Sequence, residues 1–193
     1  MNPRIAELVE RMKALESELE KELDKTREDW HYRLVNKKVQ FERGVLQQQK
    51  RLKENLFKYI LTAHPKHLLV APFIYAVFPA FVLLDLMVSL YHAVCFPILG
   101  IPRVKRSDHF SYDRSRLAYL NLLEILNCAY CSYGNGLVSY VREIVARTEQ
   151  YWCPIKHAGK YVWVHSRYEH FAEFGDAEGY RRDLDKIRKD FQD

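Results

Sequence analysis

The stretch NCAYCSYGNGLVSYVREIVARTEQYWCPIKHA, residues 127–158, carries three of the four cysteines in a chain of 193 residues, and a histidine four places after the last. Whether it is one helix or two decides the fold. The Gly-Asn-Gly at 134–136 is a breaker signal, so a first helix is expected to stop there. A second helical pattern follows in Leu137, Val138, Val141, Ile144 and Val145. Cys153 precedes Pro154, which biases Cys153 away from helical geometry and suits Pro154 to the first position of a new helix. Cys153 then reads as an N-cap, where backbone N–H groups and the helix dipole favour a thiolate.

Folded back in this way, the stretch brings Cys128, Cys131, Cys153 and His157 together. Three thiolates and an imidazole complete a tetrahedral zinc site, and an iron or iron–sulfur centre takes the same donors. The spacing C-x2-C-x21-C-x3-H lies inside the loose range of structural zinc sites. Zinc is favoured over iron, because the chain beyond residue 146 is short of aliphatic residues and a metal staple replaces a core. The alternatives are a bare redox dithiol at Cys128 and Cys131, or cysteines that only pack. The metal reading carries a geometric condition. A continuous helix over 137–152 is about 24 Å long and separates Cys131 from Cys153. Closure needs the helix to end near Ala146, with residues 147–152 running back extended over roughly 20 Å.

Upstream, FSYDRSRLAYLNLLEILNCAYCSY (110–133) reads as a helix capped by Asp113 or Ser115. Downstream, Tyr161, Trp163, Tyr168, Phe171 and Phe174 alternate with charges, either as a core or as an interfacial aromatic rim. His165 and His170 are less well spaced as ligands, and Tyr180 to Phe191 form an amphipathic helix around Leu184 and Ile187.

Residues 68–101, LLVAPFIYAVFPAFVLLDLMVSLYHAVCFPILGI, contain one carboxylate and one histidine in thirty-four positions. A spanning helix needs about 20 apolar residues, so this segment is expected in a lipid bilayer. It is long for one upright span and short for two. Pro72, Pro79 and Pro97 divide it. Basic residues flank it equally, with Lys50, Arg51, Lys53, Lys58 and Lys66 before, and Arg103, Lys105, Arg106, Arg114 and Arg116 after. Balanced flanks place both ends on the cytoplasmic face and favour a re-entrant hairpin turning near Pro79, with a tilted single span as the alternative. Asp85, Ser89 and His92 share one helical face. They read either as a proton, ion or headgroup position, or as a tie between subunits or near the water interface. Cys95 reads as a small packing residue.

Residues 1–62 are charged throughout. Ile5, Leu8, Met12, Leu15 and Leu19 recur at three and four, a coiled-coil seam through which residues 5–19 join copies of the chain; packing within the chain is the alternative. The stripe loosens through Leu23, Trp30, Leu34 and Phe41, all within one long helix ending near His64-Pro65.

The net charge of +5, dispersed among acids, argues against nucleic acid as a partner. No secretory leader pattern opens the chain, so both terminal regions are expected in the cytoplasm, where clustered cysteines favour metal or redox chemistry. Hydrolase and nucleotide motifs are missing, and Arg142, Glu143, Arg147 and Glu149 read as helix salt bridges. The expectation is an all-α chain with a coiled-coil helix (1–62), a membrane segment (63–106) and a helical metal-binding domain (107–193). Its function reads as a non-enzymatic, oligomeric membrane scaffold. Rival readings are a membrane redox protein with iron at the same ligands, or an ion-handling protein using the Asp85–His92 face.

Overall fold

A computed structural model describes residues 3–35, 38–159 and 164–191. Tyr161 and Trp163 lie outside the described residues, as does the side chain of Ile5. The chain is mostly helical, as the all-α reading requires, and divides into two compact units. One comprises residues 1–62 and 113–126, the other 63–112 and 127–193.

In the first unit, helix α1 (Pro3–Asp29) opens on a proline, which tolerates a first-turn position because its missing N–H has no helical partner there. It is shorter than the sequence reading. At His31 the backbone turns left-handed (φ 53°), and a two-stranded antiparallel sheet follows, β1 (Tyr32–Val35) and β2 (Lys38–Phe41). Tyr32 faces Phe41 and Leu34 faces Val39 in its register. The signal was present in the sequence: YRLV and KVQF are β-rich runs with only two residues between them. The expectation of one long helix is therefore corrected here. Helices α2 (Arg43–Arg51) and α3 (Leu56–Leu61) follow, the latter capped by the Asn55 side chain, which accepts from the Phe57 N–H at 2.9 Å. Residues 113–116 form a single 3-10 turn rather than the start of a helix.

The second unit is built on the apolar segment. Helix α4 (Pro65–Ala76) and helix α5 (Phe78–Leu99) are separated only by Val77, itself in right-handed helical geometry (φ −76°, ψ −21°). The re-entrant turn expected near Pro79 is replaced by one helical stretch, Pro65–Leu99. Pro79 sits in the first turn of α5, where a proline removes no helical hydrogen bond. Pro97 lies in the last turn and leaves the Ala93 carbonyl without its N–H, and the Arg103 guanidinium reaches that oxygen at 3.5 Å. Left-handed Gly100 (φ 70°) then ends α5.

Helix α6 (Leu122–Trp152) begins in the first unit and continues into the second. Its cap is Asn121, neither Asp113 nor Ser115. The Glu124 N–H donates to Asn121 Oδ1 (3.1 Å), and the Asn121 N–H donates to Glu124 Oε2 (2.8 Å), a reciprocal capping box. Gly134 and Gly136 do not break the helix. A Cβ at Gly134 would lie 3.0 Å from the Phe81 ring, and one at Gly136 would lie 2.7 Å from Phe110 and 3.0 Å from the His109 carbonyl. They are glycines for close approach, and the packing outweighs their poor helix propensity of about 1 kcal/mol each.

Around α6 the core gathers Phe96, Ile101, Val104, Tyr140 and Ile144. Residues 153–159 are irregular, with a single parallel bridge from Ile155 to Ala172. Helix α7 (Ala177–Ile187) closes the unit, N-capped by Asp176, with Ile187 buried as its periodicity implies.

Candidate functional site

The continuous α6 fails the condition on which the metal site rested. Cys128 and Cys131 lie one turn apart on it, and Cys153 follows its last residue. Twenty-one residues of helix lie between Cys131 and Cys153, and the twenty-two steps from one to the other span about 33 Å at 1.5 Å per residue. The Cys153 N–H still bonds back to the Glu149 carbonyl (2.8 Å), so Cys153 ends a helix instead of capping a new one. His157 stacks on Tyr168, and its backbone N–H donates to the Tyr168 hydroxyl at 2.5 Å. Among the described residues no group of three or more His, Cys, Asp or Glu is placed to hold a metal ion. The zinc assignment, and the iron alternative on the same ligands, are both overturned. All four cysteines are free thiols.

The other sequence-derived set does come together. Asp85, Ser89 and His92 lie on the face of α5 turned toward α6. Both Asp85 oxygens accept from the Arg106 guanidinium at 2.6 Å, a bidentate pair. Ser89 Oγ (3.1 Å) and the Tyr133 hydroxyl (2.9 Å) donate to the same carboxylate. Four donors use the acceptor capacity of a carboxylate in full. His92, 8% exposed, accepts from the Val104 N–H at Nε2 (3.0 Å) and meets the Tyr140 hydroxyl at Nδ1 (3.1 Å). A neutral imidazole that accepts at Nε2 carries its proton on Nδ1, so it donates to Tyr140.

Arg106 also lies over the Phe110 ring, 4.3 Å from its centroid, and Asp85 strengthens its hold on its proton. Burial, with the hydrogen bond to Asp85 second, pushes the Tyr133 hydroxyl up to about 12. Sequence reading missed Arg106, Tyr133 and Tyr140 as members of this seam. Arg106 registered only as a flanking positive charge, and nothing local marks it as the partner of a carboxylate twenty-one residues earlier.

Contacts between α5 and α6 climb together along both helices. Phe81 meets Gly134, His92 meets Tyr140, and Tyr91 meets Thr148 (2.9 Å between hydroxyls). The two therefore run in the same direction, and residues 101–112 return along the inner side of α5. The outward side of α5 is apolar and bare: Leu86 is 64% exposed and Ile98 77%, while inward Phe96 is fully buried. Pro65–Leu99 is the one helical stretch among the described residues long and apolar enough to cross a bilayer, with a mean hydropathy of 2.2 and no fully buried residue in its most apolar part.

Further along α6, one of the expected helix salt bridges forms, between Glu143 and Arg147, whereas Arg142 donates to the Val164 carbonyl at 2.8 Å. Glu143 accepts from Arg147 one turn on (2.7 Å) and also from Arg167 (3.0 Å). Glu149 meets His165 at 3.1 Å. Buried Gln150 donates to the Ile187 carbonyl at 2.8 Å. These bonds tie the C-terminal segment to α6. No protein-family model, curated protein or solved structure matches this chain.

Proposed function

We propose that the chain is a non-enzymatic scaffold whose α4–α5 helix beds into one leaflet of a membrane. The observation that carries this reading is the inverted polarity of α5. Its carboxylate, hydroxyl and imidazole face protein, whereas leucine, methionine and isoleucine face outward. Water as the surrounding solvent favours the opposite arrangement, and lipid favours this one. Ionisable groups that spend their hydrogen bonds on one another act as ties, which speaks for a structural seam over an ion path.

Embedding without crossing is favoured by the return of residues 101–112 along α5. That return carries Arg103, Lys105 and Arg106, and Arg106 reaches as far back as Asp85. A crossing α5 would draw this irregular, charged backbone through hydrocarbon, at a cost of several kcal/mol per unsatisfied group. Both termini then lie on one side, on the cytoplasmic face.

Self-association belongs to the same proposal. Leu8, Met12, Leu15 and Leu19 of α1 are exposed in a narrow stripe, with Arg11 and Glu18 beside it as oppositely charged neighbours for a second copy.

The test is extraction and topology together. Alkaline carbonate should leave the full chain with the membrane and neutral detergent should release it, and reporters at the two ends should read the same side. Release by carbonate removes the bilayer from the account. Opposite-side reporters replace the bedded helix with a crossing one.

A further inference from the structure

The unit of residues 1–62 and 113–126 contains an open cleft of about 700 Å³, a volume typical of small-molecule sites. Four aromatic residues line it: Trp30, Tyr32, Phe41 and Tyr119. Trp30 and Tyr32 flank the left-handed His31, a conformation that costs a non-glycine residue about 1 kcal/mol or more. The kink is pinned on both sides, by the His31 N–H to the Glu28 carbonyl (3.0 Å) and by the Glu42 N–H to the His31 carbonyl (3.2 Å). Tyr32 and Phe41 sit 5.6 Å apart, centroid to centroid.

The rim carries both signs of charge. Asp29 and Asp113 line the cleft together with Arg114, and among the described residues none of the three is in an ion pair. All three are exposed, so an apolar guest would make no use of their charge. A simple anion meets two carboxylates, and a simple cation meets the guanidinium. Aromatic faces beside carboxylates suit a weakly hydrated, diffuse cation such as a quaternary ammonium, while a guanidinium suits a phosphate.

We propose that this cleft binds phosphocholine, its quaternary ammonium against the aromatic walls and the two aspartates, its phosphate at Arg114. The ligand is either the free ester or the headgroup of a phosphatidylcholine. The site stands on residues of the first unit alone and does not depend on how α5 meets lipid.

The full chain, purified in a maltoside detergent, is titrated with phosphocholine while Trp fluorescence and heat are recorded. Saturable one-to-one binding is expected, with choline and inorganic phosphate each at least about tenfold weaker. Arg114→Gln and Tyr119→Ala should each weaken phosphocholine by about tenfold or more. Tyr119→Phe keeps the ring and should retain binding, which separates loss of the site from loss of fold. Absence of saturation, equal affinity for choline alone, or indifference to both weakening substitutions overturns the proposal. Repeating the titration in nanodiscs separates the two sources. Binding of the free ester competed away by phosphatidylcholine but not by phosphatidylglycerol assigns the headgroup, and binding retained in both assigns the free ester.

Discussion

Helices α1 and α5 both leave apolar side chains uncovered, in opposite styles. On α1 the uncovered leucines form a stripe one or two residues wide, and the rest of the surface is salt bridges such as Arg4–Glu7 and Lys13–Glu10. On α5 the uncovered apolar face is broad, and the polar groups lie on the packed side. A stripe flanked by charges fits one more helix, because the charged margins need water. A broad face with no charged margin fits a continuous apolar medium. The same local feature, an exposed leucine, thus asks for a different neighbour in each place.

The largest expected effect breaks α5. Leu86→Asp together with Leu90→Asp puts two carboxylates on the outer face, each costing roughly 2.5–3.5 kcal/mol at full membrane depth and less near the surface. The double variant should appear in the soluble or aggregated fraction. Retention in the carbonate-resistant pellet would mean that this face meets protein instead of lipid.

Next come the glycines, one from each unit. Gly136→Ala gains about 1 kcal/mol of helix propensity but drives a methyl into Phe110 and the His109 carbonyl, a clash of about 1–3 kcal/mol. Gly44→Ala in α2 meets nothing within 4 Å and should be neutral or stabilise by up to about 1 kcal/mol. Thermal melts in detergent read both, and a gain at Gly136 would refute the close packing of α6.

Asp85→Asn sharpens the comparison from the inside. It leaves Arg106 without its counter-charge, and because the Arg106 side chain is 44% exposed the loss should be about 1–2 kcal/mol, below that for a fully buried pair. Loosened binding of the 101–112 return should appear as faster amide exchange at Val104. Unchanged exchange there would remove the seam's role as a tie.

A smaller, pH-confined effect belongs to Tyr133. Its folded hydroxyl titrates near 12, above the ordinary value of 10, so the neutral form is favoured by the fold. That contribution is complete below pH 10 and is lost as pH rises from 10 toward 12, where the unfolded chain ionises first. Stability measured across that window should fall less steeply in Tyr133→Phe than in the wild type. Identical slopes would mean that Tyr133 ionises at an ordinary value.

The smallest effects are expected at the cysteines and histidine of residues 128–157. Cys131→Ser, Cys153→Ser and His157→Ala change exposed side chains and should each cost about 0.5 kcal/mol or less. A stoichiometric metal, lost on any one of these substitutions, would restore the shared site and require α6 to break.

Several features were legible in advance. The three-four spacing marked α1, length and hydropathy marked Pro65–Leu99, and the i, i+4, i+7 spacing placed Asp85, Ser89 and His92 on one face. Each depends only on the pitch of a helix and on neighbours within a few turns, which the order of residues determines by itself. The strand pair Tyr32–Val35 and Lys38–Phe41 is also written locally, in two β-rich runs, although the apolar stripe through Leu34 and Phe41 reads equally as a longer helix. Tertiary structure alone decided three matters: that Gly134 and Gly136 extend α6 because Phe81 and Phe110 press against them, that Arg106 returns to neutralise Asp85, and that Cys131 and Cys153 stay a helix apart. In each case a weak local preference, about 1 kcal/mol for a helical glycine, met a contact from a distant segment that outweighed it. Periodicity says which residues share a face, whereas the route of the chain through space says what that face will meet.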